Sequence, residues 1–142
     1  MRVVFLGSGA FGLPTLDRLL ESCEVPLVVS QPDRPAGRGR RSTPTPIAVR
    51  ALEQADGPTV LRTDSVNDPE TIRAIDLATP DALVVIAFGQ KIGSEILDRH
   101  FAVNLHASLL PRWRGAAPIN RAMMAGDETT GVSVISLAER MD

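Results

Sequence analysis

A chain of 142 residues suits one domain, large enough to bury about two-thirds of its unfolded surface. Its 44% hydrophobic and 23% charged residues are ordinary for a soluble globular protein, and a net charge of −2 excludes a general attraction to nucleic acid or membrane. The single cysteine, Cys23, excludes an internal disulfide and points to a reducing cytoplasm, while the apolar run Val3-Val4-Phe5-Leu6 is too short for a signal peptide or a membrane span.

In chain order, residues 2–6 form a short apolar run ended by Gly7 and read as a strand. Residues 14–22 read as a helix, with Leu13, Leu16, Leu19 and Leu20 at helical spacing and Pro14 suited to the first turn. Residues 25–30 form a second strand. Residues 31–50 then carry Arg34, Arg38, Arg40, Arg41 and Arg50 against Asp33 alone, a local +4 that leaves −6 for the remainder. Pro32, Pro35, Gly37, Gly39, Pro44 and Pro46 in the same stretch exclude a helix or central strand through most of it, so a basic loop is expected. A second helix follows over 47–54, starting near Thr45 or Pro46, and a short third strand over 59–61. Residues 68–78 read as a helix with Asp68 as cap and Pro69 in its first position. Residues 82–87 are continuously apolar, the pattern of a strand buried on both faces. A short helix over 93–98, a strand over 100–103, a helix over 118–125 and a β-branched strand over 131–137 complete the chain. Strands alternating with helices predict an α/β fold with a doubly wound, mostly parallel sheet, whose ligands sit beyond the carboxyl ends of the strands.

The first turn, Gly7-Ser8-Gly9-Ala10-Phe11-Gly12, matches the GxGxxG pattern between a strand and a helix, so a dinucleotide-binding module is one alternative. That pattern asks for a carboxylate at the end of the second strand, where this chain reads Val28-Val29-Ser30-Gln31. Two further readings of Gly7, Ser8, Gly9 and Gly12 stand: a tight turn for close helix–sheet packing, or amides turned to the phosphate or sugar of another substrate.

The densest chemistry lies at the last buried strand and the loop into which it opens, Asn104-Leu105-His106-Ala107-Ser108-Leu109-Leu110-Pro111-Arg112-Trp113-Arg114-Gly115-Ala116-Ala117-Pro118. Asn104 and His106 share a face if the strand alternation persists. An amide able to stabilise an oxyanion beside an imidazole able to carry a proton suits acyl transfer. His100, with no motif around it, reads as structural.

This segment resembles the formyltransferases that use 10-formyltetrahydrofolate, and the whole chain resembles the N-terminal part of the methionyl-tRNA enzymes among them. The resemblance implies a Rossmann-like formyltransferase fold, truncated here, and a cytoplasmic transferase acting in translation initiation on initiator methionyl-tRNA. It implies that Asn104, His106 and Asp142, 38 residues after Asn104, are catalytic. Asn104 and protonated His106 would stabilise the oxyanion, and Asp142 would set the charge of His106 and help remove the amine proton. Phe88, Gly89, Gln90 and Ile92 would hold the folate, their backbone against the pterin, and Ser108, Leu109, Leu110 and Pro111 would shape its cleft. Arg34, Arg38, Arg40 and Arg41 would grip the tRNA; independently, arginines fork onto phosphates and stack on bases. Two His, one Cys and no close-spaced ligand cluster suggest no metal. The resemblance also implies further strands and helices and an oligonucleotide-binding barrel beyond residue 142, so the isolated chain is expected to be weakly active or inactive and prone to self-association. The other reading within the family is a formyltransferase with a different amine acceptor, glycinamide ribonucleotide or an amino sugar nucleotide.

Overall fold

Short apolar runs separated by amphipathic helices fold into one twisted sheet covered on both sides. A computed structural model describes residues 1–36 and 41–137; Arg38, Arg40 and Asp142 lie outside the described residues. The main sheet comprises β1 (Arg2–Gly7), β2 (Glu24–Ser30), β5 (Thr59–Arg62), β6 (Ala82–Ile86), β7 (Ala102–His106) and β8 (Ser133–Ser136). Their order is β5-β2-β1-β6-β7-β8, and only β8 runs antiparallel to its neighbour. The chain starts in the centre at β1, builds outward through β2 and β5, then returns to β6 on the other side. The strand order therefore switches between β1 and β6, where open α/β sheets form their ligand crevice.

Alternation along the strands assigns the two cores. Val4, Leu6, Leu83 and Val85 pack with Ile72 and Ile75 of α3 (Pro69–Leu77) and Ile96 of α4 (Ser94–Leu97). Phe5, Val28 and Ile86 face the other way, onto Leu16 of α1 (Leu13–Ser22) and Ile47 and Ala51 of α2 (Pro46–Leu52). Because both faces are covered, β1 and β6 read as unbroken apolar runs. At the end of β1 a Cβ on Gly7 would lie 2.9 Å from the Ile86 carbonyl oxygen and 2.6 Å from Phe5 Cε1, so glycine lets the two central strands meet. Helix starts follow local chemistry: Thr45 caps α2 by accepting from the Ala48 N–H at 3.1 Å, while Asp68 occupies the cap position of α3 without a side-chain capping bond.

Three elements differ from the sequence-based expectation. The basic stretch is not all loop, because β3 (Arg34–Ala36) and β4 (Arg41–Thr43) pair as an antiparallel ribbon. A two-stranded ribbon is all edge, where proline is tolerated. The fifth long strand runs from Ala102 to His106, so Asn104 and His106 lie inside it and not in a loop beyond it. Pairing with β8, Asn104 opposite Ile135 and His106 opposite Ser133, prolongs the ladder. His100 precedes that strand, and its Nε2 lies 2.7 Å from Asp76 Oδ1, the structural role expected of it. Finally, β6 ends at Ile86, and Ala87 leaves the strand with φ of 45°.

Candidate active site

Strand register places the candidate pair Asn104 and His106. Asn104 sits opposite Val85, and Val85 and Ala102 belong to the core on the α3 side, so alternation turns Asn104 and His106 to that same face. Past the ends of β6 and β7 the core gives way to a cavity of 480 Å³. Asn104 and His106 line it, together with Phe11 from the first turn, the turn residues 87–92, Asn120 and Leu137. Size, mostly apolar walls and a few convergent polar groups are what a small organic ligand requires.

The turn after β6 brings Phe88, Gly89, Gln90 and Ile92 to the cavity. Phe88 and Ile92 are buried, and Gly89 has φ of 78°, a conformation L side chains rarely adopt. Among the described residues, the N–H groups of Gly89, Gln90 and Ile92 donate no hydrogen bond. The Gln90 side chain is turned away, accepting from the Val66 N–H at 2.6 Å and donating to the Thr63 carbonyl at 2.9 Å. Gln90 thus offers a ligand its backbone. Gln31 Nε2 donates to the Phe88 carbonyl at 2.8 Å and would collide with a Cβ on Gly89. Gly89→Ala is therefore expected to cost about 1–2 kcal/mol in stability. Urea unfolding checks it, and an unchanged midpoint would refute the constraint.

The Asn104 amide makes no hydrogen bond among the described residues and is available to a ligand. His106 Nε2 lies 3.0 Å from the Trp113 carbonyl oxygen. A carbonyl only accepts, so this nitrogen carries its hydrogen and Nδ1 is the position open to change. Within the cavity wall, His106 and Lys91 are the ionisable groups among the described residues.

Other sequence candidates fall elsewhere. Ser108 is fully buried, its hydroxyl donating to the Arg112 carbonyl at 2.7 Å, and Leu109, Leu110 and Pro111 are outside the cavity wall. Ser133 Oγ ties this loop to β8 by donating to the Ser108 carbonyl and accepting from the Leu110 N–H. In the first turn the N–H groups of Ser8 and Gly9 donate to the Ala87 carbonyl at 3.3 and 3.1 Å, and that of Gly12 to Gly9 at 3.0 Å. Ser8 Oγ accepts from the Gln31 N–H. These donors are spent inside the protein, which favours packing over phosphate binding for Gly7, Ser8, Gly9 and Gly12. What the turn gives the cavity is Phe11, whose place in a GxGxxG pattern concealed it.

Arg34 pairs with Thr43 and Arg41 with Ala36 across the ribbon, so Arg34 and Arg41 project from one face of it. Both are exposed, and the 4.0 Å approach of Arg34 to Asp64 is a surface pair of little energetic weight. The ribbon's base is fixed by Arg62, which donates to Asp33 at 3.2 Å, and by the Ser30–Thr45 hydroxyl hydrogen bond at 2.6 Å. Among the described residues no group of three His, Cys, Asp or Glu could hold a metal, and no helix is long and apolar enough to cross a membrane.

A doubly wound sheet with an amide–imidazole pair lining an apolar crevice, beside a turn that keeps unbonded backbone N–H groups, is suited to carbonyl chemistry on a bound ligand. The family profile described as "Formyl transferase" matches residues 1–142, and the chain belongs to that family. The methionyl-tRNA formyltransferase of Halorhodospira halophila is 48% identical over 144 residues, covering 99% of this chain and 46% of that protein. That of Methylococcus capsulatus is 46% identical, covering 100% of this chain and 46% of the relative. The chain thus spans about half the length of the curated relatives it matches. Among solved structures, glycinamide ribonucleotide transformylase 1 from Geobacillus kaustophilus aligns with a TM-score of 0.72 at 26% identity, over 99% of this chain and 75% of that one. Phosphoribosylglycinamide formyltransferase from Bacillus halodurans shares the fold at a TM-score of 0.76 and 23% identity, over 100% of this chain and 74% of that one.

Proposed function

We propose that this chain carries the formyl-donor site and catalytic pair of an enzyme that transfers formyl from 10-formyltetrahydrofolate to the amino group of methionyl-initiator tRNA. The observation that carries the reading is the placement of Asn104 and His106 on one face of β7, in the cavity that Gly89–Ile92 also line. The cavity's size and unbonded amide donors fit a flat heteroaromatic ring with its own hydrogen-bonding edge. Attack of the amine on the formyl carbon moves an electron pair onto the formyl oxygen, where the Asn104 amide and the His106 imidazolium stabilise it. Collapse forms the new amide, and tetrahydrofolate leaves carrying the proton. Asp142 is the carboxylate we assign to orienting that proton transfer.

Initiator tRNA is favoured as acceptor by the exposed arginine face of the ribbon and by the relatives named above. Arg38 and Arg40 follow in sequence between Arg34 and Arg41. Replacing all four with alanine is expected to weaken tRNA binding while leaving donor binding intact. The plot of log K against log salt should flatten by about 0.7–0.9 for each phosphate that is no longer neutralised. Equal weakening of donor and tRNA binding would sink the assignment.

The test of the whole proposal is transfer of labelled formyl to methionyl-initiator tRNA. It is run on the 142-residue chain beside the polypeptide extended to the stop codon of its gene. Transfer in either supports the reading. Donor binding without transfer in both, but with transfer to glycinamide ribonucleotide, would assign another acceptor.

A further inference from the structure

Asp127 lies outside the cavity wall and belongs to no motif singled out in the sequence, yet it is tied to the catalytic histidine. It follows α5 (Pro118–Met124), where its N–H donates to the Ala122 carbonyl at 3.0 Å. Its side chain is only 11% exposed, a setting in which a carboxylate needs full compensation. Both oxygens are used: Oδ1 accepts from Arg112 Nη2 at 2.8 Å and Oδ2 from Trp113 Nε1 at 2.7 Å. The Arg112 guanidinium also lies over the Trp113 ring, 5.3 Å from its centroid. The clamp thus fixes two consecutive side chains. It does so where the backbone is least free to choose, since Trp113 has φ of 57°, uncommon for a bulky residue. That conformation aims the Trp113 carbonyl at His106 Nε2, 3.0 Å away.

We propose that Asp127 is a positioning residue for His106: by gripping the Trp113 indole and Arg112 it holds the Trp113 carbonyl on Nε2–H, so that the proton exchanged in the reaction resides on Nδ1. A neutral imidazole without that carbonyl interconverts between tautomers, and only one presents the correct nitrogen to the reacting atoms. The assignment rests on the formyl-transfer reading for its catalytic meaning, but its structural content can be read without any turnover.

The chain contains two histidines, and the second is an internal control: His100 Nε2 faces Asp76, remote from Asp127 in the hydrogen-bond network. Long-range ¹H–¹⁵N spectra of the folded 142-residue chain at alkaline pH are expected to show His106 as a single Nε2–H tautomer. In Asp127→Ala, and in Trp113→Phe, which deletes only the indole donor, the His106 nitrogens should move toward the average of two tautomers while those of His100 stay in place. In a polypeptide that transfers formyl, both variants should lose rate on the order of 100-fold at saturating donor, with KM for the donor held. Trp113→Phe covers the case in which Asp127→Ala fails to fold. Retention of the single Nε2–H tautomer in a folded variant would overturn the proposal, as would a lower melting temperature with tautomer and rate both intact. An ordered tautomer in a protein that transfers no formyl would instead count against the reaction and leave the positioning role standing.

Discussion

His106→Ala is expected to abolish most formyl transfer, on the order of 10²–10⁴-fold in rate, while donor binding and the melting temperature hold. His106 is the imidazole in the cavity wall among the described residues, a group suited to passing a proton to or from a ligand. Its Nε2 is already committed to the Trp113 carbonyl, which keeps the ring oriented with one nitrogen for the reaction. Its side chain is half-buried at the end of β7, outside both apolar cores, so truncation removes chemistry without opening a core cavity. The variant is measured in whichever polypeptide shows transfer, alongside binding of a non-transferable donor analogue. Survival of most activity would remove His106 from the mechanism. A fall in analogue binding in step with rate would make it a binding group instead.

Much of the fold was legible because burial on both faces leaves a plain signature. Continuous apolar runs such as Val3 to Leu6 and Ala82 to Ile86 could only be central strands once helices alternated with them. Local reasoning failed where pairing partners decide the outcome. The ladder through Asn104 and His106 exists because Ser133–Ser136 returns antiparallel beside it, a pairing more than 25 residues distant in sequence. The ribbon at Arg34 and Arg41 likewise depends on cross-strand register, while its prolines and glycines signal only irregularity. At the candidate site, that Asn104 and His106 share a face was readable from period-two spacing. The fate of Ser108 was not: a serine two residues past a candidate catalytic histidine looks available, but its hydroxyl bonds the Arg112 carbonyl and its burial is complete. Phe11 and Asp127 were missed for related reasons. The first sits in a pattern read for its glycines, and the second acts through a tryptophan whose backbone, not its ring, meets the histidine.

Asn104→Asp is expected to lower transfer on the order of 10²–10³-fold, and further than Asn104→Ala. The two side chains have the same shape, so β7 keeps its register with Val85 and Ile135 and the cavity keeps its size. What changes, in the proposed reaction, is the chemistry facing the formyl oxygen. Asparagine offers two N–H donors with no partner among the described residues, whereas aspartate offers acceptors and a full negative charge. As the oxygen gains charge in the transition state, the amide interaction strengthens and the carboxylate interaction turns repulsive. In a crevice with mostly apolar walls that repulsion is weakly screened. Alanine removes the donors but leaves room for a water to donate in their place, which is why it should be the milder change. Donor-analogue affinity should shift far less than rate in both variants, because the ground-state formyl oxygen carries little charge. Equal rates for Asn104→Asp and the unaltered protein would move oxyanion stabilisation from this amide to the unbonded N–H groups of the Gly89–Ile92 turn, whose donors do not depend on any side chain.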